Sequence, residues 1–221
     1  YHPRKLPVLF INGISGSPQD WRPVMEKLDR KKYQVWFVYY PSGIRLDKTD
    51  NGLATALLLL RQRHGFDRMA IVAHSMGGLV SRGAIQRAVE KAGTNFIPEF
   101  FTVSTPWAGQ ASATLAVEHM DYPVPSWRDL APDSAYLREI ISHSLPPGTR
   151  HDLMFSYHSA DGVGLPTDND GVVGVASELS LPVQEQAATV FGLHLDHMGI
   201  LKSPITLRRI EMFLPPAPET K

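Results

Sequence analysis

Short, almost uninterrupted apolar runs alternate along the first half of the chain with stretches whose apolar residues recur every three or four positions. Val8-Leu-Phe-Ile11, between Pro7 and Asn12-Gly13, and Val35-Trp-Phe-Val-Tyr-Tyr40, ending at Pro41, read as buried parallel strands. Between them, Ser17-Pro18 followed by Trp21, Val24, Met25 and Leu28 has a cap, a proline at the first turn and helical spacing, which predicts a crossover helix. The alternation continues with a helix over 52–63, a strand over 69–73, a helix over 79–92 and a strand over 99–104. Strand and helix in strict alternation predict an α/β fold with a mostly parallel sheet of about six strands, helices covering both faces.

After the fourth strand, past Pro106, the rhythm breaks. Residues 107–150 carry Pro123, Pro125, Pro132, Pro146 and Pro147 among scattered aromatic residues, and are expected to form a partly helical, lid-like insertion within one domain spanning 1–221. The rhythm then returns: a strand over 153–157, a Gly/Asp-rich loop over 161–171, a strand around 187–191 and a final helix over 205–214, with Pro215-Pro216-Ala217-Pro218 expected to fray.

Composition narrows the chemistry. With 221 residues, 43% of them hydrophobic, the chain can bury a substantial core, and 22 basic against 22 acidic side chains give no electrostatic footprint for nucleic acid. There is no cysteine, so thiolate metal sites and a cysteine nucleophile are excluded. The longest apolar stretch, Leu53 to Leu60, falls well short of the roughly 20 residues of a membrane span. The sequence opens at Tyr1 rather than methionine, as a processed or trimmed chain would.

Ala73-His-Ser-Met-Gly-Gly78 lies between a predicted strand and a predicted helix, with a serine at the apex of the turn. That is the layout of a nucleophile elbow, whose strained backbone requires small residues two before and two after the serine; Ala73 and Gly77 fill these places. A serine hydroxyl needs a histidine to take its proton and a carboxylate to orient that histidine. In an elbow-bearing sheet the chain order is serine, acid, histidine. Downstream of Ser75 stand Asp168 and Asp170, then His194 and His197 just before the last helix. An oxyanion hole needs two backbone N–H groups, and Ile14, in the loop after the first strand, and Met76, after the serine, occupy the required places. Trp107, Met120, Tyr122, Trp127 and Leu130 are candidates for an apolar substrate wall, and His74 for lining or supporting the site. Ser15 and Ser17 read as turn and cap residues, and the other histidines as surface or packing residues.

These stretches, with Tyr40-Pro-Ser-Gly43, Ser104-Thr-Pro-Trp-Ala-Gly109, Asp170-Gly-Val-Val173 and His197 to Ile200, resemble the α/β-hydrolases of the lipase and esterase group, and in particular bacterial lipases and the lipoprotein hydrolases related to them. The resemblance implies a serine ester hydrolase with Ser75 as nucleophile, Asp170 as acid and the base just before the last helix. His194-Leu-Asp196 is similar to lipases in which the aspartate binds a structural calcium; His197-Met-Gly-Ile-Leu fits the wider family better and makes His197 the expected base. No organic cofactor and no catalytic metal are implied. The expected substrate is a small-molecule or lipid ester, with peripheral membrane contact compatible with an extracytoplasmic location. Acyl transfer with the same triad, and an inactive binding module on the same fold, are the alternatives. The family's loop after the first strand usually begins His-Gly where this chain has Asn12-Gly13, so any hydrogen bond made by that histidine must come from Asn12 or be absent.

Overall fold

The computed structural model describes residues 1–161 and 164–216; the Gly162-Val163 pair of the Gly/Asp-rich loop and most of the proline-rich tail lie outside them. Six parallel strands form one sheet: β1 (Leu6–Ile11), β2 (Tyr33–Phe37), β3 (Ala70–His74), β4 (Glu99–Val103), β5 (Arg150–Ser156) and β6 (Thr189–Leu193), in the order β2-β1-β3-β4-β5-β6. Side chains of the central strands alternate between two cores, as the two-residue period of a strand requires. Leu9, Ile11, Ile71, Ala73 and Phe100 point to one; Val8, Phe10, Ala70, Val72, Phe101 and Val103 to the other.

The first core is closed by α2 (Leu46–His64) and α3 (Met76–Ala92), the second by α1 (Arg22–Met25) and α9 (Pro204–Phe213). Both long helices end in a left-handed glycine, Gly65 and Gly93, which closes the last turn without a Cβ penalty. The crossover predicted as one helix through Leu28 is instead a 3-10 turn, Pro18–Trp21, followed by the single-turn α1. Pro18 and Pro23 each lack an N–H, so each opens a new turn and neither extends the previous one. Ser17 caps the first of these as expected, its hydroxyl accepting from the Gln19 N–H while Asp20 accepts from the Ser17 N–H.

α2 begins six residues before the sequence predicts. Its first N–H, at Leu46, donates to Asp129 (2.7 Å), an acid over eighty residues away, so no local cap signal marks the start. The segment between β4 and β5 holds three helices, α4 (Ala111–His119), α5 (Pro125–Leu130) and α6 (Ala135–Ser142). Two of them are tied down. Asp129 of α5 also pairs with Arg45 at 2.7 Å, and the fully buried Arg82 of α3 donates to the carbonyls of Ile140 (2.8 Å) and His143 (2.9 Å) at the end of α6. α4 is held less: only Ala113 of it is buried, and Leu115 and the following Met120 and Tyr122 face solvent. The remaining short helices are α7 (Val175–Glu178) and α8 (Leu181–Gln184). Among the described residues, no helix is long and apolar enough to cross a membrane.

Candidate active site

The carboxyl ends of adjacent parallel strands bring distant segments together, and this is where open α/β sheets assemble their sites. Here β1 delivers Asn12-Gly13-Ile14, β3 delivers Ser75, β4 delivers Ser104 and β5 delivers Ser156. Ser75 sits at the N-terminus of α3 with φ 54° and ψ −133°, a conformation non-glycine residues avoid, and its N–H is anchored on the Val103 carbonyl of β4 (2.9 Å). The elbow packs against β1 so closely that a Cβ on Gly77 would lie 2.6 Å from the Asn12 carbonyl oxygen, and a Cβ on Gly13 2.7 Å from that of Ser75. Ala73, two before the serine, is a fully buried strand residue whose methyl belongs to the core, which is why alanine serves there.

Asp170 and His197 come together at the far side of the same opening. His197 Nδ1 and Asp170 Oδ2 are 2.5 Å apart, and the two segments are also joined through the backbone, the His197 N–H donating to the Asp170 carbonyl (2.9 Å). Asp170 is fully buried and accepts four hydrogen bonds: Val172 N–H (3.0 Å) and Val173 N–H (2.7 Å) at Oδ1, His197 and the Ser156 hydroxyl (2.7 Å) at Oδ2. Burial works to raise its pKa. The His197 hydrogen bond and charge, with those from Val173 and Ser156, outweigh burial and hold the carboxyl below its usual range. It is therefore an anion aimed at the imidazole of His197.

A cavity of about 630 Å3 opens onto this point, lined by Ser75, His74, His197, Ile14 and Met76 among others. The Met76 N–H is the first of α3 and has no intrahelical partner, and Ile14 is held in a loop whose Asn12 carbonyl accepts from the buried Tyr40 hydroxyl at 2.7 Å. Asn12 does not stand in for the family's histidine by reaching outward; its amide donates to the Gly13 carbonyl next door (3.1 Å).

The alternatives considered for acid and base lie elsewhere. Asp168 is exposed, and His194 is exposed beside Tyr157 and His158. Asp196 accepts from the N–H groups of Met198 (3.1 Å) and Gly199 (2.7 Å), capping the turn after His197, and no cluster of three His or acidic residues suited to a metal occurs among the described residues.

Of the residues expected on the substrate wall, Trp127 and Leu130 line the cavity. Trp107 does not: it is fully buried in the core, because its ring packs edge-on to Phe100 and His151 with the Arg82 guanidinium over it. Met120 and Tyr122 are exposed outside the cavity. The wall is completed by Pro106, Ala113, Ala116 and Val172, small apolar residues without a sequence signal of their own. His74 borders the cavity but is 3% exposed and bonded to the protein, its Nε2 2.9 Å from the His197 carbonyl oxygen. It supports the site more than it presents a surface to a substrate. Sequence reasoning also missed Ser104, Ser156 and Asn169. The last is fully buried and fixes the loop before Asp170 through Ala160, Pro166 and Gly171.

Comparison with known proteins agrees on the architecture. The fold is similar to that of the mature lipase BlEst2 from Bacillus licheniformis (TM-score 0.70, 20% identity, 95% of this chain and 91% of that one). It is also similar to a metagenomic carboxyl esterase, MGS0156 (0.65, 15%, 95% and 74%), and to phospholipase PlaB from Legionella pneumophila (0.63, 16%, 79% and 44%). At such identities the likeness carries the α/β-hydrolase fold alone. No curated protein matches the sequence. The family described as "Putative serine esterase (DUF676)" matches residues 2–129, more than half of the chain and the part that holds the elbow, and the protein belongs to that family of serine ester hydrolases.

Proposed function

We propose that the protein hydrolyses carboxylic esters of apolar acids, acylglycerols or phospholipids among them, through an acyl-enzyme formed on Ser75. The observation that carries this reading is the pairing of His197 Nδ1 with the ionised Asp170 at 2.5 Å beside the cavity that holds the Ser75 elbow. Asp170 fixes the tautomer of His197 with its proton on Nδ1, leaving Nε2 free to take the hydroxyl proton of Ser75. The Ser75 oxygen adds to the ester carbonyl, and the N–H groups of Ile14 and Met76 receive the negative charge that develops on the carbonyl oxygen. His197 then gives its proton to the departing alcohol. Water repeats the sequence on the acyl-enzyme and releases the acid.

The shape of the cavity supports an apolar acyl group. Ala113, Ala116, Trp127 and Leu130 give the cavity uncharged apolar surface for an acyl chain, and Ser15, Asp20, Gln110 and Ser112 give it polar groups for an alcohol portion.

The test pairs Ser75→Ala with labelling by a fluorophosphonate. Wild-type protein is expected to hydrolyse p-nitrophenyl esters and to take up one equivalent of label at Ser75; the variant loses turnover by about 10⁴-fold or more and takes up none. Activity of Ser75→Ala within tenfold of wild type would overturn the mechanism.

A further inference from the structure

Tyr40-Pro-Ser-Gly43 carries part of the family resemblance, yet no step of the mechanism uses it. It runs beside the loop that follows β1 and holds that loop at two places. The Tyr40 hydroxyl donates to the Asn12 carbonyl at 2.7 Å, and the Ser42 hydroxyl oxygen accepts the Ser15 N–H at 3.0 Å. Tyr40 and Asn12 are both buried, so the first bond is shut off from water, and burial raises the phenol pKa and keeps it a donor. The stretch is itself fixed from behind: the Gly43 carbonyl accepts from the Ser126 N–H of α5 at 3.2 Å, and the following Arg45 pairs with Asp129 of the same helix.

The two tethers flank one peptide group. The Asn12–Gly13 peptide is tied through its carbonyl to Tyr40, and the Ile14–Ser15 peptide through its N–H to Ser42. Between them lies the Gly13–Ile14 peptide, whose carbonyl accepts from the Asn12 side-chain amide (3.1 Å) and the Gly16 N–H (3.2 Å). No peptide bond among the described residues is cis, and in a trans peptide the N–H points away from the carbonyl. The Ile14 N–H is therefore turned away from these donors. It donates to no group among the described residues, and Ile14 borders the cavity together with Ser75. Rotating this one peptide would remove one of the two donors of the oxyanion hole. Ser15, next to it, has a left-handed backbone, φ 54°, which a non-glycine residue keeps only where its surroundings enforce it; the Ser42 bond is such a constraint.

We propose that Tyr40 and Ser42 are positioning residues of the oxyanion hole: with the Asn12 amide they lock the Gly13–Ile14 peptide so that its N–H faces the carbonyl oxygen on which negative charge develops. The proposal rests on Ser75 being the nucleophile and the Ile14 N–H an oxyanion donor. Neither Tyr40 nor Ser42 lines the cavity, so both act through the loop and not on the ester. A donor fixed in advance needs no reorganisation when the charge appears, which is what makes such a hole effective.

The experiment measures kcat and KM for p-nitrophenyl butyrate, and Ki for an alkyl trifluoromethyl ketone, in wild type, Tyr40→Phe, Ser42→Ala and Ser42→Thr. Ser75 adds to the carbonyl of this ketone, its hydroxyl proton passes to His197, and the adduct keeps a negative oxygen where the hole receives it. Loss of either tether is expected to lower kcat about fivefold to tenfold with KM within about twofold, the scale of one neutral hydrogen bond. Ki should rise by the same factor, because the adduct needs the hole and the ground-state ester does not. Threonine keeps a hydroxyl, so Ser42→Thr should stay within about twofold of wild type. A kcat and Ki within about twofold of wild type in both Tyr40→Phe and Ser42→Ala would overturn the proposal, even with lowered urea midpoints, since the bonds would then stabilise the fold alone. A fall in kcat without a rise in Ki would place the loss outside the hole and overturn it as well. If Tyr40→Phe does not fold, Ser42→Ala decides by the same two constants. Wild-type protein that takes up no fluorophosphonate at Ser75 would instead overturn the nucleophile assignment on which the proposal rests.

Discussion

His74 and His197 lie against each other with ring centroids 4.5 Å apart and planes tilted by 47°, Nε2 of His74 standing 2.9 Å from the carbonyl oxygen of His197. A carbonyl can only accept, so His74 carries its proton on Nε2 and is a donor at that point. The variable place of the elbow is thereby used to hold the backbone of His197, the proposed base. Burial, with the adjacent His197 adding to it, pushes the His74 pKa down to about 3, so it remains a neutral donor over the working range. His74→Phe keeps most of the volume and loses the hydrogen bond. A neutral bond of this kind is worth about 1 kcal/mol, and kcat should drop roughly fivefold to tenfold with KM little changed. Steady-state kinetics on a soluble ester measures this; an unchanged kcat would leave His74 with a packing role only.

The acyl wall makes a separate prediction. Ala116 lies on α4, the helix of the insertion with the fewest buried residues, and faces the cavity with Ala113. Ala116→Phe would take up space where a long acyl chain would lie, while leaving Ser75, His197 and the Ile14–Met76 N–H pair untouched. The expected result is a fall of about tenfold or more in kcat/KM for p-nitrophenyl esters of eight carbons and longer, with acetate and butyrate esters retained within about threefold, since one misfitting contact of 1–3 kcal/mol discriminates on that scale. A uniform drop across all chain lengths would assign the acyl group to another part of the cavity.

How much of this was legible in the sequence follows from how local each signal is. Ser75, Gly77 and the strand before them lie within ten residues, and the steric demand of the turn is written in the side chains themselves. The choice of Asp170 over Asp168 is harder, because both are acids in one Gly/Asp-rich loop; what separates them is that Asn169 between them is buried and turns the chain, so Asp170 faces inward and Asp168 out. In the sequence Trp107 suits both substrate wall and core, as aromatic residues near a site do, and only packing against His151 and Phe100 decides between them. The early start of α2 at Leu46 has no local sign at all, since its partner, Asp129, comes from another part of the chain.

The close contact between elbow and first strand gives a prediction about the small residues. A methyl on Gly77 would meet the Asn12 carbonyl oxygen at 2.6 Å and the Ile11 side chain at 2.9 Å, and backbone cannot yield as a flexible side chain does. Gly77→Ala should lose about 1–3 kcal/mol of stability by overpacking, and activity with it, because the same shift displaces the Ser75 turn. Gly52→Ala is the matched comparison: it lies inside α2 with nothing within 4 Å of the added carbon, so it should be neutral or stabilising by up to about 1 kcal/mol. Urea unfolding of the two variants measures the contrast, and equal midpoints would mean that the elbow tolerates a side chain there.

Acid sensitivity isolates a buried histidine. His151 is fully buried against Phe100, with Nε2 2.8 Å from the Thr102 hydroxyl, and burial, aided by the nearby Arg82 charge, pushes its pKa down to about 3 from the ordinary 6.5. Between those values the unfolded chain binds a proton at this side chain and the folded chain does not. Acidification therefore favours unfolding: the contribution of His151 is fully present above pH 6.5 and is lost as the pH falls toward 3, by about 1.4 kcal/mol per pH unit. Other buried groups titrate in the same range with the opposite sign, Asp50 and Glu178 among them, both raised by burial, so the net pH dependence of the wild type does not report His151 alone. The difference between wild type and His151→Asn does. Asparagine keeps a polar partner for Thr102 and cannot take up the proton, so the variant should be the less stable protein at pH 7.5 and should close the gap as the pH is lowered to 4.5. Urea midpoints of the two proteins at those pH values measure it, and a gap that stays constant would mean that His151 is protonated in the folded state.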